Sequence, residues 1–371
     1  MTGVRNILVV GQVPPPWHGQ AIAIQELVSS DFKSIAIHFV RMDFSRDIDD
    51  VGKFRWKKLA ILPALIANIW RTRYRDRCTV LYYPPGATTL TGVARDAIVL
   101  LATRFLFQKV VFHSHAGGFM EVAEATPWPV RTAARRAYAK PDLLIQLTRT
   151  SPPDGILTKA RRSVYVPYGI PDNGAKYVGR FHGRSSNQRV GLLFVGAVSP
   201  GKGIWILLQA AAELKARGIH FELQIVGKFS SAEFECECRS FLHQFNLEAN
   251  VKFLGVLVDD DKWNSYVTAD IFCFPSFYKA ENQPLVVLEA MQFALPVVAT
   301  DWRGIPTMVD EGRTGFIVPI KDSAALADRI LQLIENPDLR IDMGHRGRAA
   351  FLKQYTDAAW RPAMEKALNQ V

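Results

Sequence analysis

The first apolar run of the chain, ILVVG at 7–11, is continuous rather than alternating, and it ends in Gly and three prolines before a helical pattern begins. A short continuous run bounded by turn residues is the pattern of a strand buried on both faces. GLLFVG at 191–196 repeats it, so RNILVVGQVPPPWHGQ (5–20) and RVGLLFVGAVSPGKG (189–203) each open one half of the chain. After each opening, further buried-looking runs alternate with amphipathic segments: TVLYY (79–83) and KVVFHSH (109–115), then FELQIVG (221–227), VKFLG (251–255), IFCFP (271–275) and PVVAT (296–300). That alternation predicts β-α-β units and parallel sheets, in an α/β protein of two doubly wound, Rossmann-like domains. A length of 371 residues suits two cores. The polar stretch GRFHGRSSNQR (179–189) predicts the boundary near Gly183, with domains 1–183 and 184–354. Doubly wound sheets bind ligands outside the carboxyl ends of their strands, so the chemistry is expected in post-strand loops lining a cleft.

Charge separates the halves. Residues 1–183 hold 25 Lys/Arg against 13 Asp/Glu, a net +12, whereas residues 184–371 hold 20 against 22, a net −2. The basic half implies a negatively charged partner surface: nucleic acid, anionic lipid or a phosphorylated acceptor. Its densest part, KFRWKKLAILPALIANIWRTRYRDR (53–77), carries eight basic residues and two tryptophans around an apolar run. The pattern fits an interfacial helix, with Lys53, Arg55, Lys57, Lys58, Arg71 and Arg73 facing a membrane or acceptor, and it equally fits a core helix with basic ends. Its aromatics form no evident stacking platform for bases, so no nucleic-acid partner is expected. No apolar stretch reaches the ~20 residues a membrane span needs, and the N-terminal run reads as a strand, not a signal peptide. Cys78, Cys236, Cys238 and Cys273 show neither metal-ligand nor disulfide spacing, which suits a reducing cytoplasm.

Several motifs carry candidate chemistry. GAVSPGKG (196–203) meets the first seven positions of the phosphate loop G-x-x-x-x-G-K and then places Gly203 where a magnesium-holding hydroxyl should be. An ATPase or GTPase is thereby disfavoured, while a small-residue turn, a following helix and the charge of Lys202 still suit a phosphate. An ordinary strand–helix turn with a solvated Lys is the alternative. PPPWHGQA (14–21) is a similar turn in which Gly19 would let a diphosphate or sugar approach the backbone. In VVFHSHAGGF (110–119), His113 and His115 fall on one face of a strand end. Metal binding is disfavoured because no third ligand lies near; a neutral His donating a hydrogen bond to a polar substrate, or a satisfied structural His, remain. Asp47 and Asp49, and the aspartates at 259–261, read as solvated surface.

ENQPLVVLEAM (281–291) sets Glu281 and Glu289 eight residues apart around Pro284. Pro suits the first turn of a helix, which is expected to run until Leu295-Pro296. Glu281 then lies on a loop and Glu289 one to two turns into the helix, with the free N–H groups of residues near 283–286 between them. Two carboxylates flanking such an anion site can accept hydrogen bonds from hydroxyls on either side of it, and a diphosphate with hydroxyl-bearing groups on both sides is a nucleotide sugar.

These motifs resemble glycosyltransferase family 4, the retaining GT-B enzymes known as glycosyl transferases group 1. The resemblance is most specific over FPSFYKAENQPLVVLEAMQFALPVVATDWRGIPTMVDEGRTGFIVP (274–319), with support from FVGAVSPGKG (194–203), QIVG (224–227), VKFLG (251–255) and MGHRGRAAFLKQYT (343–356). It implies transfer of a hexose, with retention and without metal or cofactor, from a UDP- or GDP-sugar to an acceptor hydroxyl. It places donor-sugar hydroxyls on Glu281, the ribose on Glu289, and the diphosphate on Lys202 with the backbone of Gly19, Leu285 and Val286. Asn282, Gln283 and Pro284 complete the donor-binding segment, and His115 rather than His113 matches the family's His near the donor sugar. The first domain would bind the acceptor, a glycan or lipid-linked glycan of surface polysaccharide assembly, from a peripheral position at the inner face of the membrane. The C-terminal helix, 355–371, would pack back on that domain. Two positions depart from the family: Ala197 replaces an Arg that would pair the diphosphate, and Tyr168 replaces an Asn. The loss at Ala197 motivates the alternative, a nucleotide-sugar-binding protein without turnover.

Overall fold

The computed structural model describes residues 4–15, 19–42, 44, 61–86, 89–180 and 189–371. Asp47, Asp49, Lys53, Arg55, Lys57, Lys58 and Gly183 lie outside them. The chain divides into two units, Met1–Tyr168 with Ala358–Val371, and Gly169–Asp357.

The first unit holds a sheet of β1 (Arg5–Gly11), β2 (Ile35–Arg41), β3 (Val80–Tyr83), β4 (Lys109–Ser114), β5 (Leu143–Gln146) and β6 (Ser163–Tyr165), in the order β2-β1-β3-β4-β5-β6. Neighbouring strands are parallel throughout. Both faces of the sheet are covered, which is why its central strands read as unbroken apolar runs. Leu8, Val10, Leu81, Phe112 and Leu144 pack into one cluster with helices Ile61–Arg75 and Leu90–Thr103, and Ile7, Val9, Tyr82, Val111 and Ile145 into the other. The second cluster includes Trp360, Met364, Ala367 and Leu368, so the last helix, Asp357–Leu368, closes a face of the first unit with four apolar side chains at helical spacing.

The second unit holds β7 (Val190–Val195), β8 (Phe221–Val226), β9 (Val251–Gly255), β10 (Ile271–Phe274), β11 (Val297–Thr300) and β12 (Gly315–Val318), parallel in the order β12-β11-β10-β7-β8-β9. Chain order reverses between β7 and β10, which makes the space beyond their carboxyl ends the topological switch point. Asp270 locks that pair: its Oδ2 accepts the Gly191 N–H at 2.7 Å and its own N–H donates to the Gly191 carbonyl at 2.7 Å.

The division corrects the boundary expected near Gly183. Residues after Tyr168 already belong to the second unit, because Asp172 takes a two-pronged ion pair from Arg348 (2.9 and 3.1 Å) and the Gly174 N–H donates to Gln292 Oε1 at 3.1 Å. These contacts, and not the polar composition of 179–189, mark where the chain changes unit. The helix after Pro284 is also shorter than expected: it spans Leu285–Gln292, Pro284 is its cap residue at φ −66°, and Ala294 at φ +55° turns the chain before Leu295-Pro296 is reached.

Candidate functional site

The loops after β7 and β10 meet at the switch point of the second unit. The first is a single tight turn, Pro200–Lys202, followed by Gly203 at φ +75° and helix Ile204–Ala216. A Cβ on Gly203 would stand 2.0 Å from the carbonyl oxygen of Pro275, the residue that follows β10, so the absent hydroxyl of the phosphate-loop pattern reflects close contact between the two loops. The Phe277 N–H donates to the Gly201 carbonyl at 2.9 Å and ties them further.

This contact delivers Lys202 to Glu281, 79 residues away in the chain. The ammonium donates to Glu281 Oε2 at 2.6 Å, and the Ser276 hydroxyl donates to the same oxygen at 2.7 Å. Glu281 Oε1 has no partner among the described residues, which leaves it open to a substrate hydroxyl. The Lys202 ammonium also lies 5.0 Å from the centre of the Tyr278 ring and 5.5 Å from that of Phe274, so aromatic faces confine it as well as the carboxylate. The segment is anchored from β11, where the Thr300 hydroxyl donates to the Ser276 carbonyl and Trp302 Nε1–H donates to the Tyr278 carbonyl at 2.7 Å. Asn282, Gln283 and Pro284 are buried beside Glu281, and Leu285 and Val286, half-buried, open the helix. The first N–H groups of a helix have no intrahelical partner, so a partial positive charge lies within four residues of Glu281.

Glu289, in the same helix, is held differently. Lys262 donates to its Oε1 at 2.6 Å and the Tyr266 hydroxyl to its Oε2 at 2.7 Å, both from helix Asp259–Thr268. Burial and the neighbouring carboxylate drive the Tyr266 hydroxyl well above its usual range, so it stays a donor. A substrate hydroxyl at Glu289 would share oxygens already in use, through their second lone pairs. Lys262 and Tyr266 are site residues that the sequence reading missed; their i, i+4 spacing puts them on one face of a helix, but nothing in the sequence pairs that face with Glu289. Asp259, Asp260 and Asp261 begin that helix and are exposed. Ala197 is exposed in the turn after β7.

The first unit carries a separate polar cluster at the end of β4. His113 and His115 stand with ring centres 4.0 Å apart, as strand alternation requires. His113 Nδ1 meets the Tyr82 hydroxyl and His115 Nδ1 the Tyr168 hydroxyl, the latter at 2.6 Å. Burial pushes the His113 imidazole down to about 3, so it is neutral at physiological pH. The loop that follows is pinned by Asp154, whose buried carboxylate accepts the N–H groups of Gly118 and Met120 at 3.1 and 3.0 Å; burial raises its pKa to about 6. Gly19 opens helix Gly19–Ser29 with nothing within 4 Å of where a side chain would begin; Pro16, Trp17 and His18 of the same loop lie outside the described residues. Among the described residues no group of three or more His, Cys, Asp or Glu side chains is placed to hold a metal.

On helix Ile61–Arg75, the described part of the 53–77 segment, Leu62, Leu65, Ile69 and Thr72 are buried and form its inward face. Its outer face nonetheless shows Trp70 and Tyr74, 39 and 62 % exposed, beside exposed Arg71, and Trp70 packs edge-on at 5.8 Å against Phe105, 65 % exposed. Arg73 is not a free surface charge: its Nε–H donates to the Leu106 carbonyl at 2.9 Å and its guanidinium covers the Phe107 ring. No described helix is long and apolar enough to cross a membrane.

Residues 180–350 match the family model of glycosyl transferases group 1. The putative colanic acid biosynthesis glycosyltransferase WcaL of Salmonella typhimurium is 30% identical over 145 residues, 38% of this chain and 35% of that protein. A phosphatidyl-myo-inositol mannosyltransferase of Mycobacterium leprae is 31% identical over 150 residues, 40% of this chain and 38% of its own length. The chain therefore spans about a third of the length of these curated relatives. In structure it is similar to Anabaena Alr3699/HepE, solved in complex with UDP, with a TM-score of 0.75 at 17% identity over 99% of this chain and 100% of that one. The fold is GT-B.

Proposed function

We propose, from the match of residues 180–350 to the glycosyl transferases group 1, that the protein is a retaining glycosyltransferase that takes a nucleotide-diphosphate sugar as donor. The observation that carries this reading is the convergence, at the switch point of the second unit, of the Lys202 ammonium, the open oxygen of Glu281 and the N-terminus of helix Leu285–Gln292. That set matches a donor part by part. The diphosphate is drawn by the ammonium and the helix end, the sugar hydroxyls bond Glu281 Oε1, and the ribose bonds Glu289. In the transfer the bond between the anomeric carbon and the phosphate oxygen breaks and a bond to the acceptor oxygen forms on the same face. The acceptor proton passes to the departing diphosphate, so no separate base is needed. Lys202 and backbone N–H groups stabilise the charge that builds on the leaving group, without a metal. His115 serves as a hydrogen-bond donor to a polar substrate. The reading without turnover rests on Ala197 alone.

A panel of UDP- and GDP-sugars tests the reading through thermal stability and turnover. One donor is expected to raise stability by about 2.7 kcal/mol at a hundred times its dissociation constant, with the gain unchanged by EDTA, and to be consumed when acceptor is present. A panel without a stabilising donor sinks the proposal, and stabilisation without turnover favours the binding protein.

The acceptor we propose is a lipid-linked glycan at the inner face of a membrane. WcaL is named for colanic acid biosynthesis and the mycobacterial relative for phosphatidyl-myo-inositol. The exposed Trp70, Tyr74 and Phe105 beside Arg71, on the basic half of the chain, suit an anionic bilayer. Vesicles containing phosphatidylglycerol are expected to sediment the protein and pure phosphatidylcholine vesicles not; reversing the charges at 53–77 should reduce binding at least tenfold. Indifference to that reversal refutes the membrane contact.

A further inference from the structure

Both histidines at the end of β4 have Nδ1 on a tyrosine hydroxyl, and the two tyrosines come from different places in the first unit. Tyr82 lies on the adjacent strand β3, while Tyr168 follows β6 and reaches His115 from 53 residues away. The Tyr168 and His115 rings also stack, 5.7 Å apart and 14° from parallel, so the imidazole is fixed in plane as well as in direction. Both residues are buried. Burial drives the Tyr168 hydroxyl well above its ordinary range, so it keeps its proton. The 2.6 Å contact holds one proton between the two atoms, from the hydroxyl or from Nδ1; when the hydroxyl donates, Nδ1 presents its lone pair and a neutral imidazole then carries its hydrogen on Nε2. The neighbouring His113 is neutral and adds no charge to this balance.

We propose that Tyr168 is a positioning residue that donates to His115 Nδ1, holds His115 in the Nε2–H form, and so sets it as the hydrogen-bond donor to a substrate oxygen. The inference deepens the proposed function and relies on it only for the substrate. It gives a physical role to one of the two departures from the family: a Tyr stands where an Asn is usual, and its longer side chain carries a hydroxyl to Nδ1.

The test is nitrogen-15 NMR of the full chain labelled in histidine, joined to transfer kinetics. In the wild type, His115 should show a pyridine-like Nδ1 and a pyrrole-like Nε2. Tyr168→Phe keeps the stacking ring but removes the donor; it should abolish that fixed pattern and lower kcat about tenfold, the rate equivalent of one hydrogen bond of about 1.4 kcal/mol. A pyrrole-like Nδ1 in the wild type overturns the proposal, even if Tyr168→Phe does not fold. A Tyr168→Phe that slows transfer without moving the nitrogen pattern also overturns it, since that is the signature of packing alone. Failure of every donor in the panel overturns the transferase reading instead, and the nitrogen pattern still decides the tyrosine–histidine pair.

Discussion

Replacing Glu281 by Gln is expected to slow sugar transfer about a hundredfold with little change in donor affinity, whereas Glu289→Gln should weaken donor binding about tenfold and leave kcat near wild type. The two carboxylates share a helix and its approach, but their surroundings differ. Glu281 spends one oxygen on Lys202 and Ser276 and keeps the other open, so a sugar hydroxyl can make a charge-assisted bond there. Such a bond is worth about 3 kcal/mol at the upper end, and its strengthening at the reacting sugar appears as rate. Glu289 has Lys262 and Tyr266 on its two oxygens, so a ribose hydroxyl adds to an occupied group and loses less when the charge goes. Lys202→Met supplies the counter-test. It removes the cation from the leaving diphosphate and also strands Glu281, whose side chain is only 8% exposed, without its counter-charge. Breaking a buried pair from one side costs about 3–5 kcal/mol, so loss of activity in that variant alone is ambiguous. Combining Lys202→Met with Glu281→Gln should recover much of the stability and none of the transfer. Equal loss of kcat in both Glu variants, or transfer by the double variant, would contradict the assignment. Steady-state kinetics alongside thermal melts read all four proteins.

How much of this was legible beforehand follows from what each contact depends on. Most central strands are legible because helices cover both faces of a parallel sheet and the run must be largely apolar; β5, though buried at all four residues, is too short a run to stand out. Strand β2 at one edge, with four successive half-buried residues, and β6 at another, with two of its three residues exposed, carry no such run and were not singled out. Local motifs and family resemblance put Lys202 at the diphosphate and Glu281 at the donor-sugar hydroxyls beside it, but their pairing depends on β7 lying beside β10, which strand order decides and residue periodicity does not. Tyr168 shows the same limit. Its difference from the family was visible, yet only the fold of the first unit brings it to His115, so its position in the sequence carried no sign of that contact. The chain changes unit just after it, in a segment without Gly/Ser-rich composition, where the ion pair of Asp172 with Arg348 fixes the crossing.

Gly203→Ser tests how the two loops of the switch point depend on each other. The substitution completes the phosphate-loop pattern G-x-x-x-x-G-K-[ST] at 196–203, and on sequence alone it should create a magnesium ligand. The expected result is the opposite: no nucleotide triphosphatase activity, a melting temperature lower by about 10 °C, and loss of donor stabilisation. Two costs combine. A non-Gly residue at φ +75° loses about 1–2 kcal/mol to its own backbone. The new Cβ would also stand 2.0 Å from the Pro275 carbonyl oxygen and 2.7 Å from its carbon, and backbone cannot swing aside as a side-chain tip can. Relief requires moving Pro275, and Ser276 and Glu281 move with the loop it begins, which is why donor binding falls together with stability. Gly218→Ser separates the terms. Gly218 has nearly the same φ, +77°, with nothing within 4 Å of its would-be Cβ, so it incurs the backbone cost alone. That variant should melt only a few degrees below wild type and bind donor normally. If the two serines behave alike, the loops are not in the contact described, and the delivery of Lys202 to Glu281 needs another cause.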